Sequence, residues 1–103
     1  MDAPATRRDC ERLVFITIYL ISYDLNKPGQ DYPKIIEAIK SYGTYCQVLK
    51  SQWFIRSEKT AVEIGKHLIE YLDENDEILI CEFNDNHEGL LKNRVVDWLE
   101  KAR

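Results

Sequence analysis

A single carboxylate ends the most hydrophobic stretch of this 103-residue chain. Nearly every residue from 13 to 23 is apolar, β-branched or aromatic; Asp24 follows, and a Lys-Pro-Gly turn comes at 27–29. A strand without polar alternation is typically covered on both faces, so an acid where it emerges lies at the rim of the core. Asp24 is therefore the first candidate for a catalytic or metal-ligating residue.

Asp24 can bind a metal ion well only if a second residue also supplies a ligand to it. One carboxylate is a poor Mg²⁺ site, because this ion requires octahedral oxygen ligation. In a two-fold dimer, two copies of Asp24 could face each other, hold Mg²⁺ or Mn²⁺, activate water and stabilise charge on a phosphoryl oxygen. Ser22 has the same strand parity, and Tyr23 and Asn26 are the other candidates to line this site. The structural alternative is that Asp24 caps the turn through Asn26 and Lys27.

The remaining reactive residues give no further site. Cys46 and Cys81 fall in predicted strands without a C-x-x-C motif, which predicts small buried hydrophobes rather than zinc ligands. His67 and His87 have no Cys, Ser or second His at ligand or triad spacing and are predicted to be exposed. The four glycines are isolated, so no phosphate-binding loop is indicated.

Composition limits the class of protein. The chain is 45% hydrophobic and 31% charged, as expected of one soluble globular domain. No apolar run reaches the roughly 18 residues of a membrane helix, so we expect no membrane contact and a cytoplasmic location. The formal net charge is −4 and the 14 basic residues are scattered, which disfavours non-specific nucleic-acid binding.

Hydrophobic periodicity and turn residues predict the elements that must position Asp24. Residues 1–12 are expected to form a flexible tail and 13–103 a single domain. The helix after Asp31 should end at Gly43 in a left-handed conformation, and Thr60 with Glu63 forms a capping box for the second helix. The predicted elements are strand 13–23, a helix from 31, strands 44–49 and 52–56, a helix from 60, strand 78–83 and a helix at about 88–101.

This order predicts an α+β, ferredoxin-like βαββαβ sandwich with an extra C-terminal helix, in which both crossover helices cover one sheet face. The first and fourth strands, expected at the sheet centre, are apolar on both sides. The second face therefore needs the terminal helix or a second copy of the chain, and a homodimer assisted by the helix is favoured. Trp53 and Phe54 should point to opposite faces, one into the core and one into an interface.

Three short motifs resemble the CRISPR-associated protein 2 family, and within it the orphan SinR-like branch. These are SYDL at 22–25, the Ser-x-aromatic strand SQWF at 51–54, and the strand at 78–83 after an acidic turn. The virulence-associated ribonucleases with a ferredoxin-like fold are related to this family. The resemblance covers about residues 18–83.

The resemblance implies a homodimeric, Mg²⁺- or Mn²⁺-dependent endonuclease acting on RNA or double-stranded DNA, with Asp24 as the catalytic metal ligand. The chain departs from the family in its first helix, where Lys34 and Lys40 replace the usual arginines, and in its helical C-terminus. Those departures favour an orphan role over DNA clamping. The alternative function is a non-catalytic dimeric module that binds a protein partner in a defence or toxin–antitoxin system.

Overall fold

The computed structural model describes residues 16–26 and 32–102. The order of the elements is β-α-β-β-α-β followed by a helix, as predicted. The expected tail at 1–12 and the start of the predicted first strand at 13–15 lie outside the described residues. The elements are β1 (Thr17–Asp24), α1 (Tyr32–Lys40), β2 (Thr44–Leu49), β3 (Gln52–Ser57), α2 (Ala61–Ile69), β4 (Glu77–Glu82) and α3 (Asn93–Ala102).

The four strands form one antiparallel sheet in the order β2-β3-β1-β4, and the fold class is therefore α+β. β1 pairs with β3 on one side and with β4 on the other. The expectation that β4 lies at the sheet centre is wrong, because β4 is an edge strand. Its apolar composition therefore does not reflect cover on both faces: Leu79 and Cys81 are exposed, whereas Ile78 and Ile80 are half-buried.

One face of the sheet, which we call face A, carries the side chains of Tyr19, Ile21 and Tyr23 and is covered by α1 and α2. Alternation along β1 and the β1–β3 register bring Trp53 and Ile55 to the same face. This core is nearly closed to solvent. Its buried members are Tyr19, Ile21, Tyr23, Ile35, Ala38, Ile39, Trp53, Ile55, Ile64 and Leu68.

The opposite face, face B, carries Ser22 and Asp24 and is covered in part by α3. Val95 and Leu99 of α3 pack on Cys46 and Phe54, and the Phe54 ring stacks on Trp98 with centroids 5.8 Å apart. The expected helical cover of this face is thus present within the chain. The helix begins at Asn93 rather than at about residue 88.

Two predictions about face B need correction. Trp53 and Phe54 were expected to lie one in the core and one in an interface, but both are buried within the chain, at 4% and 2% exposure, and Phe54 lies under α3. Cys81 was expected to be buried and is exposed, because α3 does not extend across β4. Cys46, under α3, is buried as expected, and burial raises the pKa of its thiol even though the Arg94 guanidinium nearby opposes that rise.

Local sequence signals explain where the helices begin and end. Gly43 adopts the left-handed conformation that was expected, with φ +89°, although α1 ends at Lys40 and a turn at 41–42 separates it from Gly43. Thr60 and Glu63 form the predicted capping box, in which the Glu63 N–H donates to Thr60 Oγ1 and the Thr60 N–H donates to Glu63 Oε1. Gly43 is the last residue of the α1–β2 connection, and Thr60 is the last residue of the β3–α2 connection.

Candidate functional site

Asp24 lies at the end of face B that α3 leaves uncovered. β1 ends where β3 and β4 begin, because both neighbours run antiparallel to it. Alternation then places the side chains of these strand ends on one face. We call this group the carboxylate patch; its members are Ser22, Asp24, Gln52, Glu77 and Leu79.

Asp24 and Glu77 are register partners in the β1–β4 ladder. The Phe83 N–H donates to the Ile18 carbonyl oxygen at 2.8 Å, and counting along the ladder puts Asp24 and Glu77 in the hydrogen-bonded class of pairs. In such pairs the Cα atoms are roughly 5.5 Å apart and the side chains share a face. Both residues are exposed. The sheet therefore holds two solvent-accessible carboxylates side by side within one chain.

Asn26, two residues after Asp24, makes its hydrogen bonds to the acidic turn that precedes β4. The Asn26 N–H donates to Asp76 Oδ1 at 3.0 Å, and Asn26 Nδ2 donates to the Asn75 carbonyl oxygen at 2.8 Å. Asp76 Oδ2 also accepts from the Asp73 N–H at 2.8 Å. Asp76, and not Asp24, thus accepts from the Asn26 N–H. Lys27, the other residue of the capping alternative, lies outside the described residues.

The structure separates the three residues that were expected to line the site. Ser22 lies in the carboxylate patch, where its Oγ accepts from Gln52 Nε2 at 3.3 Å. Asn26 is exposed and binds the acidic turn, which makes it a support for the patch rather than part of its surface. Tyr23 points to face A, is buried, and its hydroxyl oxygen accepts from Trp53 Nε1 at 3.3 Å. The side chains of Tyr23 and Asp24 therefore lie on opposite faces of the sheet, and Tyr23 does not line the site.

The donor chemistry of the patch fits a hard divalent cation. Mg²⁺ is usually held by one or two protein carboxylates, with water and substrate phosphates completing the octahedron. Asp24 and Glu77 supply two carboxylates, and Ser22 and Gln52 supply neutral oxygens beside them. Across the described residues, no group of three or more His, Cys, Asp or Glu side chains is placed to hold a metal ion. The patch is thus a two-carboxylate site open to solvent.

The histidines lie away from the carboxylate patch. His67 is half-buried rather than exposed, and its Nδ1 is 2.8 Å from the Tyr42 hydroxyl. Burial, with the nearby Glu63 charge, raises the pKa of Tyr42, which keeps the phenol protonated. His87 is exposed as expected and packs on the Phe83 ring with centroids 4.3 Å apart. Neither histidine can act on a group bound at Asp24.

Comparison of the chain with protein-family models, with curated proteins and with solved structures found no match. No helix in the described part of the chain has the length and hydropathy needed to cross a membrane. The resemblance to the CRISPR-associated protein 2 family accordingly stays an expectation from short motifs.

Sequence reasoning missed Glu77. It was assigned to the acidic turn before the predicted strand at 78–83, although Asp76 organises that turn and Glu77 begins β4. A signal was present, because in the predicted topology β4 runs antiparallel beside β1, and its first residue must then lie near the last residue of β1. The exact pairing of Asp24 with Glu77 needed the register, which the sequence pattern did not define.

Proposed function

We propose that the protein is a metal-dependent endonuclease, best described as an endoribonuclease of the CRISPR-associated protein 2 type, which acts as a homodimer. The observation that carries the proposal is the pair of exposed carboxylates, Asp24 and Glu77, at the open end of face B. RNA and double-stranded DNA are the substrate classes implied by the resemblance. A cytoplasmic location belongs to the same proposal.

A ferredoxin-like fold is part of this proposal. Its support is the sheet order β2-β3-β1-β4, read with the β-α-β-β-α-β order of the elements and the packing of α1 and α2 on one face. The fold alone does not imply an activity. It matters here because it places the end of β1 beside the start of β4, and so determines which side chains can share a ligand with Asp24.

In the proposed mechanism Asp24 and Glu77 hold Mg²⁺ or Mn²⁺, with Ser22 and Gln52 contacting the bound substrate backbone. Such an ion, when bound, neutralises charge on a phosphodiester oxygen and lowers the pKa of a water molecule. The carboxylates also reduce the protein's own attraction for phosphate, which makes the cation necessary for substrate binding at this acidic end of the sheet. Strong dependence of cleavage on divalent cation follows from this arrangement.

A second candidate function is a non-catalytic dimeric module or adaptor that binds a protein partner. Exposed apolar side chains on α2 and β4 favour it, since Val62, Ile69 and Leu79 are each more than half exposed. The net charge of −4 points in the same direction, because it provides no general attraction for nucleic acid.

Cleavage of labelled single-stranded RNA and duplex DNA, with Mg²⁺, Mn²⁺ or EDTA, tests the proposal. We expect cleavage with metal in the wild type, loss in Asp24→Asn and Glu77→Gln, and no change in Asp97→Asn, which removes an exposed carboxylate on α3. Loss in Asp24→Asn alone would indicate that a second copy, rather than Glu77, supplies the other ligand. Absence of cleavage by the wild type would reject the nuclease and favour the interaction module.

A further inference from the structure

β4 has one edge paired with β1, and no strand among the described residues pairs with its other edge. The bond from the Phe83 N–H to the Ile18 carbonyl oxygen shows which residues direct their backbone groups toward β1. Since these groups alternate along a strand, Ile78, Ile80 and Glu82 direct their N–H and C=O groups outward. An edge strand of this kind is a template for pairing with another chain.

Exposed apolar side chains flank this edge on both sides of the sheet. Leu79, on face B, is 63% exposed, and on the α2 side Val62 and Ile69 are 66% and 58% exposed. Gly65 of α2 lies over β4, because a Cβ built on it would be 3.6 Å from Ile80 Cδ1. At about 100° per residue, Val62 and Ile69 lie on the flank of α2 that points beyond β4, away from the buried helix residues.

We propose that the free edge of β4 is the site of a two-fold interface with a second copy of this chain. The two β4 strands pair antiparallel about Ile80 and join the two sheets into one of eight strands. The two α2 helices meet above the joined strands. A symmetric interface requires a self-complementary surface, and the spacing of the residues on this edge provides one.

The register in which the two β4 strands pair follows from the residues whose N–H and C=O groups point away from β1. With Ile80 opposite the partner's Ile80, Ile78 lies opposite the partner's Glu82. On face B, Leu79 lies opposite the partner's Cys81, so two exposed side chains cover each other. No like charges are directly opposite in this register, whereas like charges facing each other across strands would be destabilising.

The α2 helices have matching symmetry. Val62 and Ile69 lie three residues before and four residues after Gly65, which stands over the two-fold centre at Ile80. In an antiparallel helix pair, Val62 of one chain therefore approaches the partner's Ile69, and the reverse contact is made at the same time.

This interface does not depend on the Asp24–Glu77 site within one chain, but it excludes a metal site shared by the Asp24 residues of two copies. Strand spacing of about 4.8 Å and a rise of about 3.4 Å per residue put the two Asp24 residues roughly 25 Å apart, on the same side of the joined sheet. The edge dimer thus keeps two separate carboxylate patches, each with its own Asp24 and Glu77. Failure of cleavage and failure of dimerisation can then be told apart, because Asp24→Asn tests cleavage without altering β4, and sedimentation measures association without substrate.

Sedimentation velocity of the full chain tests the interface. We expect a dimer for the wild type and at least about tenfold weaker association for Leu79→Lys, because a charge on an edge strand opposes pairing. Leu49→Lys is the matched control: Leu49 is 55% exposed at the end of β2, which is the opposite edge strand of the sheet, and its substitution should leave the dimer intact. Unchanged circular dichroism in both variants confirms folding. A monomeric wild type, or a dimer insensitive to Leu79→Lys, would overturn the proposal.

Disulfide trapping tests the register. In a Cys10→Ser background, Leu79→Cys places a thiol opposite the partner's Cys81 in a non-hydrogen-bonded pair, where the Cα separation of about 4.5 Å suits a disulfide. Oxidised glutathione should then convert this variant to a covalent dimer. The control variant, with Cys81→Ser added, should stay uncrosslinked because the two introduced thiols are diagonal neighbours. Equal crosslinking of both variants, or of neither, would rule out the register.

Discussion

The two faces of the sheet differ in how completely helices cover them from solvent. Face A is covered by two helices whose caps are encoded locally, and its core side chains are excluded from solvent over the length of β1 and β3. Among the described residues, face B is covered by α3 alone, which packs on Phe54 and Cys46 and leaves the starts of β3 and β4 accessible. The candidate site and the exposed β4 residues both lie where this cover ends.

The difference indicates how a domain of this size divides its surface between stability and recognition. The closed face supplies most of the apolar burial that stabilises the domain. The half-covered face tolerates like charges at Asp24 and Glu77 and exposed apolar residues on β4, which a closed core would exclude. We therefore expect substitutions on face A to affect folding first and substitutions at the open end of face B to affect binding first.

The largest effect is expected for Trp53→Ala in the core of face A. Trp53 is 4% exposed and its ring packs with Tyr45 at 6.1 Å between centroids. Truncation removes a large buried side chain and leaves a cavity, so the free energy of unfolding should fall by about 3–5 kcal/mol. Urea denaturation measures it. Near-wild-type stability would show that face A is not the dominant core.

A smaller decrease in the free energy of global unfolding is expected for Leu99→Ala, although Leu99 is also well buried, at 6% exposure. The substitution should cost about 2–5 kcal/mol if α3 and the sheet unfold together. Because α3 is the only helix on face B within the described residues, we expect part of this cost to appear as local undocking. Hydrogen exchange should then show α3 amides opening before those of β1, and simultaneous opening would contradict the division between the faces.

The capping box of α2 should have an effect of about 1 kcal/mol. Thr60→Ala removes the acceptor for the Glu63 N–H, and loss of an N-cap typically costs about 0.5–2 kcal/mol. Thermal melting compared with Ser57→Ala, which alters a turn hydroxyl on the same connection, measures the specific contribution of the cap. Equal losses in both variants would show that the box is not the cause.

The same box predicts a pH dependence. The hydrogen bond from the Thr60 N–H, helped by Lys59, holds the pKa of Glu63 below its ordinary value of 4.5. A carboxyl whose folded-state pKa is depressed contributes stability above the unfolded-state pKa and loses it as the pH falls through the folded-state pKa. The stability advantage of wild type over Glu63→Gln should therefore be constant near pH 7 and decline once the pH falls below 4.5, until it is lost below the folded-state pKa. An advantage that persists in acid would contradict the assignment.

The smallest effect on stability is expected at the carboxylate patch. Because like charges directly opposite in a ladder are destabilising, Glu77→Gln should raise the free energy of unfolding by about 0.2–1 kcal/mol without metal. Mn²⁺ should raise the melting temperature of the wild type and not that of Asp24→Asn, since a ligand stabilises only the state that binds it. Equal Mn²⁺ shifts in both proteins would place any metal site elsewhere.

Several features followed from sequence because they depend on near neighbours. The order of the elements, the left-handed Gly43 and the Thr60–Glu63 box each rest on residues a few positions apart, whose geometry is fixed by local backbone chemistry. Opposite orientations of Trp53 and Phe54 followed from strand alternation alone. Asp24 was identified in the same way, as the first acid after an apolar strand.

The features that sequence missed depend on which strands become neighbours. An apolar strand has the same pattern whether it is central or at an edge, so the place of β4, and with it the exposure of Leu79 and Cys81, was decided by the sheet order. The pairing of Asp24 with Glu77 was decided by the β1–β4 register, which joins residues more than fifty positions apart. Local propensity carries no information on such pairs. The loss of chain entropy and the gain of contact energy in each pair arise only when folding brings the two distant strands together.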